Sequence, residues 1–154
     1  MTSNLFRALL LIAVAMLVAC SGAPRKRVFP PEVRVQELHR QGDAGWSVVW
    51  RVSNFSNVPM QLASLDLELR LDGGSWRKIS VPSTVKITAN SVELLTTDLG
   101  ADAALSSRLD AMTPSDQLRY ELRGQARFSE PSARFDLNYA SAVSPAPGLP
   151  GVLR

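Results

Sequence analysis

From residue 32 onward, apolar and polar residues alternate in short runs that end at glycine, asparagine or proline. The clearest run carries leucine at every second position from Leu65 to Leu71 and closes on Asp72-Gly73-Gly74. A period of two places these leucines on one face of a β-strand, and Asp-Gly-Gly is typical of a hairpin turn. The run therefore predicts a half-buried strand that ends in a hairpin.

Other runs repeat the alternation. Residues 46–52 predict a strand with Trp46 and Trp50 on its inner face, after a turn at 42–45. We expect Trp76 in the core as well, rather than in a ligand-binding aromatic cluster. Further strands are predicted at 33–38, 76–80, 83–88, 91–99, 118–128 and 133–139, with Val85/Ile87 and Val92/Leu94 as inward pairs.

One segment changes from strand to helix spacing. Leu105, Leu109 and Met112 recur at intervals of four and three residues, which is the period of one helix face. Asp102 stands where an N-cap belongs, and Pro114 lies just beyond the end. Residues 102–112 therefore predict one short helix.

About seven short strands separated by turns, with a single helix, predict an all-β fold of the β-sandwich class over residues 32–140. Residues 141–154 are rich in proline and glycine and lack periodicity. For this last segment we expect a disordered tail.

The N-terminal segment differs in composition from the rest. Of the first 19 residues, 15 are apolar and only Arg7 is charged. This pattern is typical of a signal peptide, and the apolar run is too short for a membrane span. Leu17-Val18-Ala19-Cys20 resembles the lipobox of bacterial lipoproteins. The alternative is an ordinary cleavable signal beside a free cysteine.

The lipobox resemblance implies that Cys20 receives a diacylglyceryl group, that the signal peptide 1–19 is removed, and that the new amine is acylated. Ser21 in place of aspartate favours the outer membrane, facing the periplasm. Residues 20–31 would form the lipidated tether. Its basic run, residues 25–27, would lie against anionic head groups or form a solvated linker.

Four stretches of the domain carry a resemblance to a known family, and they are Pro31–Leu38, Ser53–Asn57, Leu65–Gly73 and Tyr120–Gly124. They are similar to late embryogenesis abundant proteins of the second group, also called the water stress and hypersensitive response (WHy) domain. The similarity covers roughly residues 31–140. Where that family has an Asn-Pro-Asn turn, this chain has Asn54-Phe55-Ser56-Asn57, which lacks the proline and is one residue longer.

The resemblance implies a fibronectin type III- or immunoglobulin-like sandwich with one short helix. It also implies a stress-linked role without catalysis, and it offers no catalytic residues to transfer.

Composition narrows the chemistry further. One cysteine and one histidine leave no disulfide framework and no site built from several thiolates or imidazoles. His39 has Glu37 and Asp43 nearby in sequence and is expected to be a surface residue at a strand end. The formal net charge of +3 does not indicate nucleic-acid binding. We predict no enzyme activity, no catalytic residues, no cofactor and no metal.

One basic pattern is a candidate binding surface. Arg119, Arg123 and Arg127 fall on one side of a predicted strand, diluted by Glu121. They are either an anion-binding stripe, for lipid head groups or other polyanions, or an ordinary solvated edge.

These observations favour a non-catalytic, monomeric lipoprotein that binds or protects other envelope components, with the stress link taken from the resemblance. The alternative is a structural or assembly adaptor of an envelope or secretion complex. Its partners would be the membrane, through Cys20, and an envelope protein or anionic lipid.

Overall fold

A computed structural model describes residues 25–42 and 45–154, which form two antiparallel sheets packed face to face. The predicted signal peptide, Cys20 and Ser21 lie outside the described residues. The elements are β1 (Glu32–Gln41), β2 (Gly45–Asn54), β3 (Met60–Leu71), β4 (Arg77–Pro82), β5 (Lys86–Ile87), β6 (Ser91–Ala101), α1 (Ala103–Asp110), β7 (Leu118–Glu130), β8 (Ser132–Val143) and β9 (Val152–Leu153).

The first sheet has the order β6-β2-β1-β9, and the second has the order β4-β3-β7-β8 with β5 paired to β3. The predicted all-β fold with one short helix is confirmed. The described residues contain nine strands rather than about seven, and two of these strands are only two residues long.

The core lies between the inner faces of the two sheets. Trp46 and Trp50 of β2 are buried, as are Leu65 and Leu67 of β3. The half-buried strand predicted from the leucine alternation is therefore confirmed, and it ends at the turn after Leu71.

The prediction of Val92 and Leu94 as an inward pair is wrong. Leu94 stands opposite Arg51 and is 56% exposed, whereas Leu95 stands opposite the buried Trp50. Residues directly opposite in an antiparallel pair share a face of the sheet. The register with β2 therefore turns Val92 and Leu94 outward.

Helix α1 begins where its sequence signal places it. An oxygen of Asp102 accepts the backbone N–H of Leu105 at 2.9 Å, which makes Asp102 the N-cap. Leu105 and Leu109 are buried against the core. The indole N–H of Trp46 donates to Ser106 at 2.9 Å and ties the helix to β2.

The prediction of a disordered tail at 141–154 is wrong. Its first residues continue β8, and its last ones form β9, which pairs with β1 through Leu38 and Leu153. Ser144 and Arg154 exchange two backbone hydrogen bonds of 2.9 Å. Burial of Leu153 and Ala146 supplies the apolar contact that holds this proline-rich segment on the domain.

Tyr120 links burial to stability at high pH. Burial raises its pKa to about 12, against about 10 in an unfolded chain. Between these values the unfolded phenol loses its proton while the folded one keeps it, so stability falls as pH rises through this window. Unfolding in urea at pH 9.5 and 12 should show a loss of about 2 kcal/mol from this group. In Tyr120→Phe that part of the loss should vanish, and an unchanged pH slope would contradict the assignment.

Candidate functional site

The two ends of the sandwich differ in character. We call one the tether end, where residues 25–31 enter beside the β2–β3 loop at 55–59. We call the other the helix end, which carries the β3–β4 turn at 72–76 and α1. Strand β2 runs between them with ten residues, which is a span of about 30 Å.

A pocket opens at the helix end between the β3–β4 turn and α1, and we call it the hairpin–helix pocket. Its volume is about 490 Å³. Most of its apolar lining is leucine, drawn from both sheets and the helix, because the inward faces of the strands run out into this opening. The leucines are Leu69, Leu71, Leu99, Leu105 and Leu118.

Two ion pairs stand at the rim of the hairpin–helix pocket. Arg108 donates to Asp72 at 2.9 Å. Arg77 pairs with Asp102 and also donates to the carbonyl of Leu99 at 2.9 Å. The pKa of Asp102 lies below its usual value, chiefly because its carboxylate accepts the N–H of Leu105, with Arg77 adding to the effect. Each charge is thus offset by its partner, and the apolar lining dominates the pocket.

A second cavity, of about 660 Å³, lies between α1 and the C-terminal segment. Leu109 of α1 and Met112, which follows the helix, line one side, and residues 145–153 line the other. The segment that was predicted to be disordered therefore builds one wall of it.

Trp76 does not lie in the core, which corrects the sequence prediction. It is half-buried at the edge of the hairpin–helix pocket. The guanidinium carbons of Arg123 and Arg70 lie 4.1 Å and 4.6 Å from its ring centroid. Guanidinium groups at this distance are attracted to the negative face of the indole. Trp76 follows the hairpin turn and precedes β4, which begins at Arg77. Because it lies outside the strand, the alternation of inward and outward side chains does not place it in the core.

The predicted basic stripe lies on the outer face of the second sheet. Arg123 donates to Glu68 of β3 at 2.6 Å, and Arg127 lies 3.7 Å from Asp66. Arg119 is exposed, and its backbone N–H donates to Asp72. Two of the three arginines thus belong to a row of ion pairs between β3 and β7. Anion binding by this stripe stays a prediction.

His39 is half-buried, and its Nε2 lies 2.6 Å from Glu37. Within residues 25–42 and 45–154, no three His, Cys, Asp or Glu side chains are arranged to hold a metal ion. Helix α1, the one helix in the described part of the chain, lacks the length and apolar character to cross a membrane.

No protein-family model matches the chain. No curated protein matches it either. Among solved structures, a protein described as late embryogenesis abundant is 12% identical, with coverage of 94% of this chain and 85% of that one, and a TM-score of 0.46. A protein described as ApaA from Bordetella pertussis is 12% identical over 80% of this chain and 100% of its own, with a TM-score of 0.46. A structural-genomics target is 14% identical over 77% and 88%, with a TM-score of 0.48.

Proposed function

We propose that this protein is a non-catalytic, lipid-anchored domain of the bacterial periplasm that binds apolar side chains of other envelope proteins through the hairpin–helix pocket. The observation that carries the binding role is the pocket itself, with leucine walls and charges that are paired at the rim. The anchor rests on the lipobox-like sequence that ends at Cys20.

The size and chemistry of the pocket suit an apolar side chain better than a charged ligand. Its volume of about 490 Å³ falls within the range of about 300–1,000 Å³ for binding pockets. Both rim arginines already have carboxylate partners, so an anionic ligand would have to compete with Asp72 and Asp102. Burial of an apolar side chain in the pocket is favourable in free energy because it removes apolar surface from water, and it leaves both ion pairs intact.

The position of the pocket also supports this role. The chain leads toward the proposed anchor from the tether end, and the pocket opens about 30 Å away at the helix end. An anchored domain would thus present its pocket away from the membrane. The link to osmotic or desiccation stress rests only on the sequence resemblance.

Site-specific photocrosslinking in cells tests the binding role. A photoreactive residue at Ala104, which is exposed and lines the pocket, should give adducts with envelope proteins. The matched control is the same photoreactive residue at Asn138, which is exposed on β8 and does not line the pocket. It should give few adducts. The substitution Leu71→Asp should reduce the Ala104 adducts at least several-fold.

The pattern of adducts also separates two functions. Many adducts at Ala104 support a protective role for many proteins, whereas one stoichiometric adduct supports the assembly adaptor. Equal crosslinking at Ala104 and Asn138 would contradict binding through the pocket.

A further inference from the structure

The segment that leads out of the domain at the tether end is held against it. The backbone N–H of Arg27 donates to the side-chain oxygen of Asn57 at 2.7 Å, and the N–H of Asn57 donates back to the carbonyl of Arg27 at 3.2 Å. The N–H of Phe29 donates to the hydroxyl of Ser56 at 2.9 Å. Residues 25–29 therefore have a defined place beside the β2–β3 loop, although the sequence predicts them only as part of the lipidated tether.

These two hydrogen-bonded segments expose large apolar side chains. Val28 is 41% exposed, Phe29 is 46% exposed and Phe55 is 55% exposed. Within the described part of the chain, only Leu94 and Leu149 are other large apolar side chains with comparable exposure. The tether end thus carries three of the five exposed large apolar side chains in the described part of the chain.

Basic side chains accompany this apolar surface. Arg25, Lys26 and Arg27 are exposed, and none of them forms an ion pair with any residue in the described ranges. The nearby acid Glu32 lies 3.9 Å from Arg34 instead. The charges of residues 25–27 are thus available to an external anion, unlike the paired arginines at the helix end.

We propose that the tether end is a membrane-contact surface that lies against an anionic bilayer. Phe29 and Phe55 enter the interface between head groups and acyl chains, and Arg25, Lys26 and Arg27 lie at the level of the phosphates. Apolar side chains beside basic ones are the combination that holds a surface at an anionic lipid interface.

The length of the chain favours a bilayer over another protein as the occupant. Four residues lie between Cys20 and Arg25, so the five Cα–Cα steps that join them span at most about 18 Å. If Cys20 carries lipid, as the proposed function holds, the tether end cannot move farther than this from the membrane. Contact with the bilayer would fix the orientation of the domain relative to the membrane, and the hairpin–helix pocket would then face away from the membrane.

Vesicle co-sedimentation tests this contact without the lipid. The chain that begins at residue 20 and carries Cys20→Ser keeps every strand of both described sheets. It should sediment with vesicles containing 30% phosphatidylglycerol and bind pure phosphatidylcholine at least about ten-fold more weakly. The difference should shrink at high salt, because salt screens the basic residues.

Two double variants distinguish binding through the tether end from nonspecific adsorption to vesicles. Phe29→Ser combined with Phe55→Ser should lower binding to the anionic vesicles about ten-fold. Leu94→Ser combined with Leu149→Ser is the matched control and should leave binding unchanged, and urea unfolding checks that both double variants remain folded. No preference for anionic vesicles, or equal loss in both variants, would overturn the membrane contact. The acylation state of wild-type Cys20 is measured separately, so failure of the proposed anchor would be recognised independently.

Discussion

Replacing Gly124 by alanine should destabilise the domain by about 3–5 kcal/mol. Gly124 lies in the middle of β7 opposite Leu67 of β3, with a φ of 150°. A Cβ atom here would lie 2.1 Å from the carbonyl oxygen of Asp66 and 2.9 Å from the Cα of Leu67. Both contacts are backbone atoms, so β3 itself would have to move. Urea unfolding of the purified domain measures the loss.

Gly73→Ala is the matched control for this prediction. Gly73 has a φ of 71°, and nothing lies within 4 Å of the position that its Cβ would take. Only the backbone preference of alanine opposes this substitution, at about 1–2 kcal/mol. If both substitutions cost the same, the close approach of the two strands at Gly124 would not be the cause.

The second large effect is expected at Asn54, a buried residue at the end of β2. Its side-chain nitrogen lies 3.0 Å from the carbonyl of Val58, 3.3 Å from that of Ile87 and 2.9 Å from that of Thr88. Its oxygen accepts the N–H of Ser56 at 2.9 Å. One side chain thus joins the β2–β3 loop to the segment that contains β5.

Asn54→Ala should lower the free energy of unfolding by about 2–4 kcal/mol, because buried backbone groups lose their partners. Denaturant unfolding provides the value, and Asn138→Ala, on the exposed face of β8, provides the comparison. A loss at Asn54 no larger than the one at Asn138 would show that solvent replaces these hydrogen bonds.

Local patterns predicted the elements whose signals lie within a few residues. The leucines from Leu65 to Leu71 alternate because one face of β3 meets the core, and this requires no knowledge of the partner strand. Asp102 caps α1 through the N–H of Leu105, three residues away. Both features were therefore visible in the sequence.

Features that depend on distant residues were missed. The outward direction of Leu94 follows from its register with β2, which is more than 40 residues away. The C-terminal segment is ordered because Leu153 of β9 pairs with Leu38 of β1. The proline-rich composition of the segment does not predict this pairing.

The hairpin–helix pocket was missed for the same reason. Its walls come from β3, β6, α1 and β7, and only the sheet topology brings them together. The ion pair between Arg123 and Glu68 was missed for the same reason, because the two residues are 55 positions apart in the sequence.

The mass of the mature protein extracted from cell membranes tests the proposed anchor most directly. The account predicts a chain that begins at Cys20 and carries a diacylglyceryl group on the thiol and an acyl group on the amine, whereas Cys20→Ser should remain an unlipidated precursor. A chain that begins at another residue, or one that carries a free thiol at Cys20, would contradict it.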